Sequence, residues 1–338
     1  YGNVPLVTSY NTAQEQIEQS YRSEIFRFII KELQEVAPLL SNEHSNKMGN
    51  YYGRITSPVI YFLLAKLALN AEIYSDDNWT DKTKPDGKNI FFEVDGEQVN
   101  AWETCIRYCN KLAEAGYKLE EDYAYNFTVH NENSSENIFT IPLDKNLYAA
   151  QFHYLFRSRH YNHGGALGGS SENGTSATIS TVMASGYGTD YVDARFYINF
   201  YSGQVIVDGK KVMLDNGKPL EYMPLELKLN LTGSPYLKTA GARMAKYEVD
   251  RTSHSDGRQP DNDIVLFRYA DVLLMKAESK VRNGEDGSKE LNEVRNRVGM
   301  PSLRATLENI LKERLLELVW EGWRRQDLIR FGLFHQSY

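Results

Sequence analysis

Three histidines and two acidic stretches are the residues whose types could hold a metal ion. His153, His160 and His163 lie close together in a glycine-rich segment, and imidazole nitrogens are common zinc ligands. Their spacing matches no zinc-binding motif, so we do not expect a zinc site. The stretches "SDDNWTD" and "DND" offer the oxygen ligands that calcium prefers, without the spacing of an EF-hand. We therefore expect no metal and no cofactor, with a bound calcium ion left as an alternative.

Pairs of carboxylic acids are the residues that could hydrolyse a glycosidic bond. The acidic residues near the end of the chain, such as Glu313 and Glu317, recur at helical spacing and do not cluster in loops. Arginines such as Arg314 and Arg324 are near enough in sequence to keep these acids ionised. The pattern indicates charge pairing between packed helices, and we expect no enzymatic activity. A glycoside hydrolase or lyase is the alternative, and it would need such a pair in an open cleft.

Composition and charge narrow the class of partner. The chain has 338 residues, with 45 acidic and 38 basic side chains and a net charge of −7. No basic run is long enough to neutralise a row of phosphates, so nucleic acid and anionic membrane surfaces are poor candidates as partners. No segment has the uninterrupted apolar length of a transmembrane helix. The abrupt opening "YGNVPLV" indicates a segment that is internal to a longer protein.

Hydrophobic periodicity predicts helices towards both ends of the chain. The predicted helices cover residues 20–40, 57–74, 100–116, 264–283, 287–298 and 305–331. Asn100 can cap the third of them in a capping box with Glu103, and Gly116 can end it. The first part of the fourth helix, "IVLFRYADVLLMKAES", is apolar on most sides, so we expect neighbouring helices to bury it. The fourth and fifth helices together have the length of one tetratricopeptide-type hairpin.

The middle of the chain lacks this helical pattern. Short strands are predicted at "NIFTI", "ARFYINFY", "GQVIVDG" and "KKVML", and "VDGK" predicts a hairpin turn. Residues 153–176 are too polar and glycine-rich for a core, and long loops of this kind are usually functional or disordered. The predicted fold is mostly α, with tetratricopeptide-type helical hairpins forming a scaffold and an irregular loop- and short-strand-rich insertion. Within a single domain, we expect a helical scaffold part at 1–116, the insertion at 117–263 and a C-terminal helical part at 264–338.

The C-terminal part also carries three consecutive motifs, "LFRYADVLLMKAES", "LNEVRNRVGMPSL" and "ILKERLLELVWEGWRRQDLIRFG". Together they resemble the signature of the SusD/RagB family. The matching residues are Arg268, Tyr269, Ala270, Asp271, Leu274, Ala277, Glu278, Asn292, Arg295, Arg297, Glu313, Arg314, Glu317, Glu321, Gly322, Arg324, Asp327 and Arg330. Upstream, "YGNVPLV", "IFRFIIKELQEVAPLL" and "LLAKLALNAEIY" are similar to early segments of that family. The sequence lacks the lipidated amino-terminal portion of the family and the segment that normally follows "DLIRFG".

The resemblance implies a non-catalytic nutrient-binding lipoprotein on the outward face of the outer membrane of Bacteroidetes. Such a protein binds oligo- or polysaccharide and delivers it to a SusC-like TonB-dependent transporter, and its lipid anchor would lie outside this chain. Binding of peptide or of a glycoprotein-derived ligand in the same role is the alternative. A helical scaffold that binds only a protein partner is a third hypothesis, although a pure solenoid needs no glycine- and aromatic-rich insertion.

The charged residues of the signature are interpreted as architecture. Arg268, Asp271 and Glu278 lie on one stripe of the helix predicted over 264–283, and a second charged stripe runs along the helix predicted over 305–331. Because buried charges need partners, we expect these helices to pack together with Arg268 or Arg324 paired to a carboxylate. The structural signature comprises Arg268, Asp271, Glu278, Glu313, Arg314, Glu317, Glu321, Arg324 and Asp327.

Saccharide binding would need exposed aromatic rings beside hydrogen-bonding side chains. Sugar rings stack on Trp and Tyr through their C–H faces, and their hydroxyls suit Asn, Asp and Arg. Both kinds of residue cluster in two stretches, one on either side of the predicted "NIFTI" strand. The candidate ligand-binding residues are Asn78, Trp79, Tyr148, Tyr154, Arg159, Tyr161 and Asn162.

Overall fold

The structure is a computed structural model, and it describes residues 2–10, 13–14, 17–78, 80–81, 83–147, 157–253 and 260–336. Its α-helices are α1 (Arg22–Val36), α2 (Ser57–Leu69), α3 (Ala71–Tyr74), α4 (Ala101–Glu114), α5 (Tyr161–Ala166), α6 (Ile179–Ala184), α7 (Phe196–Asn199), α8 (Tyr269–Asn283), α9 (Ser288–Arg297), α10 (Leu307–Glu317) and α11 (Arg324–Arg330). Single 3-10 turns follow α1 and occupy Gly87–Asn89, Tyr123–Phe127 and Asn131–Asn133. The predicted mostly helical architecture is confirmed.

The strands are short and form two-stranded antiparallel pairs in the described part of the chain. They are β1 (Val4–Pro5), β2 (Gln19–Ser20), β3 (Phe91–Val94), β4 (Glu97–Asn100), β5 (Asn137–Ile141), β6 (Phe200–Tyr201), β7 (Gly203–Gln204), β8 (Ile206–Val207), β9 (Lys210–Lys211), β10 (Glu221–Tyr222), β11 (Arg243–Met244) and β12 (Ile264–Arg268). The predicted hairpin at "VDGK" is confirmed, since β8 and β9 pair across Asp208 and Gly209. Both turn residues have positive φ, as a tight hairpin turn requires.

The main apolar core brings together helices from the two ends of the chain. Helix α4 packs on both α2 and α8, and α9 and α10 pack on α8. The small side chains of Ala65 and Ala68 in α2 are fully buried, which lets the neighbouring helices approach closely. A Cβ atom at Gly87 would lie 2.3 Å from the Trp102 ring, so only glycine fits against this buried indole. None of the described helices is long and apolar enough to cross a membrane.

The predicted cap of α4 is confirmed, and other predicted boundaries are wrong. Asn100 Oδ1 accepts a hydrogen bond of 2.9 Å from the backbone N–H of Glu103. The segment predicted as one helix over 57–74 is interrupted at Asn70, which separates α2 from α3. The Asn70 side chain donates to the carbonyl of Lys66 at 2.8 Å. Similarly, the middle of "ARFYINFY", predicted as a strand, forms the short helix α7.

The helix predicted over 264–283 begins at Tyr269, because residues 264–268 form strand β12. This strand pairs with β5, the predicted "NIFTI" strand, so that Val265 faces Thr140 and Arg268 faces Asn137. The apolar run "IVLF" suits either a buried helix or a strand, and the long-range ladder to β5 decides between them. Arg268 therefore lies at the end of a strand, immediately before α8.

The helix predicted over 305–331 is also two helices. Helix α10 ends at Glu317, and α11 begins at Arg324. Between them, Trp320 and Gly322 have φ values of 70° and 84°. Such left-handed backbone conformations are incompatible with a continuous right-handed helix. Glu321 therefore reaches the ionic cluster from a turn between the two helices.

An ionic core lies where the C-terminal helices meet the insertion. Arg268 donates to Glu136 Oε1 at 2.7 Å, to Glu317 Oε1 at 2.5 Å and to Glu321 Oε2 at 2.7 Å. The side chains of all four residues are at most 2% exposed. Burial alone would raise the pKa of Glu317, but Arg297 and the arginines beside it outweigh burial and hold that pKa well below its usual range. The predicted packing of two charged stripes is confirmed at Arg268.

A second ionic cluster joins α8, α10 and α11 to α2. Arg314 binds Asp271 at 2.7 Å and Asp327 at 2.9 Å, while Lys66 of α2 also pairs with Asp271. The ammonium group of Lys66 lies 4.0 Å from the centroid of the Trp323 ring, within the range of a cation–π interaction. The other residues of the predicted signature are bonded in the same part of the structure. Glu278 pairs with Arg330 and Arg282, Glu313 pairs with Arg295 and Arg195, and Arg324 donates to the carbonyl of Leu311.

We predict that Glu317→Ala lowers the free energy of unfolding by about 3 to 5 kcal/mol, because it leaves buried arginines without their carboxylate. Chemical denaturation with urea measures this loss. Glu293→Ala is the matched control, since Glu293 is an exposed residue of α9. Equal stability of the two variants would contradict a buried ionic core.

We also predict that acid destabilises the protein through Glu278. Burial alone would raise the pKa of Glu278, but Arg330 beside it outweighs burial and lowers the pKa from 4.5 to about 2. The unfolded state therefore binds more protons between these pH values, so the free energy of unfolding decreases as pH falls from 4.5 towards 2. The contribution of Glu278 to this decrease is roughly 3 kcal/mol.

Urea titrations at a series of pH values measure the effect. Glu278→Gln, which cannot titrate, should show a shallower decrease than the unmodified protein, while Glu293→Gln should keep the full slope. If Glu278→Gln retained the full slope, the acid sensitivity would arise elsewhere.

Candidate functional site

A groove runs between helix α5 and the β8–β9 hairpin in the insertion. Its volume is about 460 Å³. The residues that line it are Asn162, Ala166, Val207, Asp208, Lys210, Lys211, Val212 and Met213. We call it the α5 groove. It holds one of the predicted ligand-binding residues, Asn162, and a second, Tyr161, is next to it in the chain.

Helix α5 is held in place by polar residues at its start. His160 Nδ1 accepts a hydrogen bond from the backbone N–H of Asn162, and the backbone N–H of His160 donates to the Tyr222 hydroxyl at 2.8 Å. Gly164 lies against Ser171, whose Oγ would be 2.2 Å from a Cβ atom at this position. The glycine-rich sequence therefore allows α5 to pack closely on the loop that follows it.

Tyr161 and Asn162 present a ring and an amide side by side. Tyr161 is 51% exposed, and the ammonium group of Lys238 lies 5.8 Å from its ring centroid. The Asn162 side chain donates to the carbonyl of Met213 at 2.8 Å and to Asp215 Oδ1 at 3.0 Å. These bonds fix the amide across the groove, and its oxygen is an acceptor of the kind that a sugar hydroxyl needs.

Residues 157–163 are buried more deeply than the sequence indicates. The expectation that this polar stretch stays out of the core is wrong for Arg159, His160 and His163, which are each less than 5% exposed. They are covered because β6, β10 and α5 converge there, and His163 Nδ1 lies 3.1 Å from the Tyr222 hydroxyl. Burial, together with Arg159 and His160, lowers the pKa of His163 to about 3. His163 is therefore neutral at physiological pH.

The other predicted site residues lie elsewhere or are not described. Trp79, Tyr148 and Tyr154 are outside the described residues. Asn78 is exposed and donates to Asp81 Oδ2 at 2.9 Å, in the turn after α3. That turn is tied to the start of α1 by a hydrogen bond of 2.5 Å from Ser23 Oγ to Asp77 Oδ2. Asn78 is thus placed beside the helical scaffold.

Two further grooves run along α1, with volumes of about 460 and 490 Å³. In the first, Tyr61 and Tyr108 stack on each other with ring centroids 6.1 Å apart, and Tyr108 is buried. The second contains Phe91, which is 58% exposed, beside Arg27 and Gln98. This second groove combines a ring with polar groups and is the alternative location for a ligand.

No group of three or more His, Cys, Asp and Glu residues within the described ranges is arranged to hold a metal ion. His153 lies outside those ranges, so the interpretation of the histidine cluster stays a prediction. In the "DND" stretch, both carboxylate oxygens of Asp263 accept hydrogen bonds from Tyr52, and Asp263 also binds Thr140. Burial raises the pKa of Asp263 to about 6. Asp263 therefore has protein partners for its carboxylate oxygens, and the possible calcium ion stays a prediction.

The second wall of the groove was not anticipated from the sequence. Lys210, Lys211 and Met213 come from the hairpin, and Lys238 comes from a later loop. The signal that could have indicated the two lysines is their position directly after the "DG" turn, which makes them exposed. The pairing of hairpin and helix across the groove depends on long-range contacts that the sequence does not reveal.

Comparison with known proteins finds a family match over the C-terminal part of the chain and a shared fold. A family model described as the SusD family matches residues 191–338. The starch-binding protein SusD of Bacteroides thetaiotaomicron is 38% identical over 90 residues, which are 26% of this chain and 16% of that protein. A SusD-like protein from Bacteroides fragilis has a similar structure, with a TM-score of 0.71 at 18% identity, over 98% of this chain and 65% of that chain.

A third similar protein was solved with a saccharide. It is the surface glycan-binding protein A from Bacteroides thetaiotaomicron, in complex with laminarihexaose. Its TM-score is 0.64 at 20% identity, over 94% of this chain and 63% of that chain. This chain therefore spans less than two thirds of the length of both solved structures and a much smaller part of the curated relative it matches.

Proposed function

We propose that the chain is a member of the SusD family and that it binds oligo- or polysaccharide without cleaving it, since a model of that family matches its C-terminal part. The observation that carries the proposal is the exposed Tyr161 ring beside the fixed amide of Asn162, at the edge of the α5 groove. An exposed ring supplies a stacking surface for the C–H face of a sugar, and the neighbouring polar groups bond its hydroxyls. A groove open along its length suits a chain of sugar units.

The relatives support the chemical class of this ligand. One is named a starch-binding protein, and another was solved with laminarihexaose, so both bind glucose polymers. Because sequence identity to the solved structures is low, we carry over the class of ligand and not the particular glucan. A peptide or glycoprotein-derived ligand in the same groove remains the alternative.

The position of this protein in the cell is part of the same proposal. We propose that the full-length protein is lipid-anchored on the outward face of the outer membrane, and that it delivers saccharide to a SusC-like TonB-dependent transporter. The anchor would lie outside this chain. The support is the resemblance of the C-terminal motifs to the SusD/RagB family together with the match of residues 191–338.

The alternative of a glycoside hydrolase is less well supported. Such an enzyme keeps one carboxylic acid protonated beside an ionised one, in contact with substrate. The carboxylates of the signature are buried and bound to arginines, as Glu317 and Glu278 illustrate. The pKa of Glu317 and that of Glu278 are both lowered, although burial opposes this, because arginines surround the two groups. Neither is suited to donate a proton near neutral pH.

We predict that Tyr161→Ala weakens saccharide binding by about tenfold while the melting temperature changes little, since a stacked ring contributes roughly 0.5 to 1.5 kcal/mol beyond simple burial. A panel of glycans that includes starch and laminarin identifies a ligand, and isothermal titration beside a melting curve then measures the effect. Phe91→Ala is the matched control because it removes an exposed ring from the groove along α1. Loss of binding in Phe91→Ala, with none in Tyr161→Ala, would move the site to that groove.

We predict no turnover of the bound saccharide. Incubation of purified protein with the glycan that binds best should release no reducing ends over many hours, because the signature carboxylates Glu317 and Glu278 are buried and bound to arginines. Sustained release that is abolished by substitution of an Asp or Glu would contradict the proposal. Release that survives every such substitution would indicate a contaminating hydrolase.

A further inference from the structure

Two buried arginines near the start of helix α5 differ from several other buried arginines in the described part of the chain. Arg195, Arg268 and Arg314 each contact two or more carboxylates. Arg159 and Arg243 are 3% and 4% exposed, yet neither forms a salt bridge within the described residues. The chain is rich in acidic residues, with a net charge of −7, so carboxylates are not scarce. The missing partners are a local property of this site.

The hydrogen bonds of these two arginines go to neutral groups or are not made. Arg243 donates to the carbonyls of Ala240 and Gly241 and to the Asn173 side chain, and its Nε has no partner. Arg159 has two such nitrogens, Nε and Nη1, without a hydrogen-bond partner. An unpaired guanidinium group is costly to bury, because burial removes its hydration without replacing it. Arg243 also donates to the carbonyl of Lys238, so Arg159 is the less well paired of the two.

The groups around the two guanidinium groups do not compensate their charge. Arg243 lies 5.1 Å from the centroid of the Tyr222 ring, and burial raises the pKa of Tyr222 to about 12. His163 is neutral because its pKa is low. The pKa of His160 is lowered by burial and further by Lys238 and Arg243, as expected where positive charge accumulates. The excess positive charge therefore persists at neutral pH.

More positive charge lies at the surface of the groove. Lys210 and Lys211 line it, and Lys238 approaches the Tyr161 ring. Of two nearby carboxylates, Asp208 pairs with Arg251 at 2.9 Å, while Asp215 accepts from the neutral amide of Asn162 at 3.0 Å and keeps its charge, so the three lysines outnumber the one carboxylate without a cation. Buried charge is screened weakly by solvent, so the two arginines add to the positive potential that the lysines give this part of the insertion.

We propose that the α5 groove selects acidic saccharides, whose carboxylate or sulfate groups meet Lys210, Lys211 and Lys238 while a sugar ring stacks on Tyr161. Arg159 and Arg243 add a fixed positive potential from the protein interior and do not need to touch the ligand. This inference rests on the proposed function, because it names the class of saccharide that the same groove binds. Uronic acids and sulfate esters share the anionic chemistry that the groove offers.

Two pairs of polymers with matched backbones test the selectivity and separate the two sources of charge. Polygalacturonate is compared with its fully methyl-esterified form, and dextran sulfate with dextran, by isothermal titration at low salt. We expect at least one charged polymer to bind about tenfold or more tightly than its neutral counterpart, and to lose most of that advantage in 0.5 M NaCl, where surface charges are screened. The pair that shows the larger advantage identifies uronate or sulfate as the preferred group.

Variants assign the effect to the groove. Lys211→Gln combined with Lys238→Gln should lower the affinity for the preferred charged polymer by about tenfold, by removing two attractive charges. The control combines Lys289→Gln with Lys312→Gln, which removes the same charge from exposed positions on α9 and α10. We expect the control to bind the charged polymer as the unmodified protein does. Equal losses in both variants would mean that overall charge, and not the groove, attracts the ligand.

Arg159→Met separates a role in the electrostatic potential from a structural role. If the charge serves the ligand, this variant keeps or gains thermal stability and loses affinity for the charged polymer. A lower melting temperature with unchanged affinity would make Arg159 a structural residue and overturn its part in the inference.

Neutral polymers or laminarin that bind as well as the charged ones would overturn the inference and leave the proposed function intact. Absence of binding to any saccharide would overturn both.

Discussion

Arg268 lies where three distant parts of the chain meet, and its bonds to Glu136, Glu317 and Glu321 join the insertion to the C-terminal helices. Because the guanidinium group is buried, it must have these carboxylates, and because they are buried too, they must have arginine. The arginine and the carboxylates each need the other, and their hydrogen bonds have a fixed direction, whereas apolar contacts do not. It fixes how β12, α10 and the turn after α10 are placed relative to one another. The scaffold that carries the α5 groove is completed by this arrangement.

Much of this scaffold can be predicted from the sequence, because its determinants are local or numerous. Helices α1, α4 and α9 follow from periodicity, and the Asn100 cap follows from residue type. The pairing of Arg268 with the acidic residues follows from the cost of unpaired buried charge, although Arg268 lies at the end of a strand and not on the predicted helical stripe. Strand β12 could not be predicted in this way. Its apolar run is compatible with a helix, and its pairing partner β5 is far upstream in the sequence.

The candidate site was predicted only in part, for a related reason. Tyr161 and Asn162 were identified by residue type, which is the only local signal that an exposed ring and an amide provide. The opposite wall of the groove comes from a hairpin whose position depends on contacts made by β6, β7 and β10. Arg159 is buried in a stretch whose composition is that of a surface loop. Its environment is set by Tyr201, Tyr222 and His163, which are separated from one another along the chain.

The distribution of charge partners along the chain also affects how this protein can fold during synthesis. Glu136 is translated well before Arg268 and Arg297, the cations that it binds, and Lys66 is translated long before Asp271. While the last quarter of the chain is still inside the ribosome, these early charges have no buried partners and keep water around them. The helical core of the first half cannot close over them at that stage. These contacts therefore form only after the segment that carries Arg268, Asp271 and Arg297 has left the ribosome.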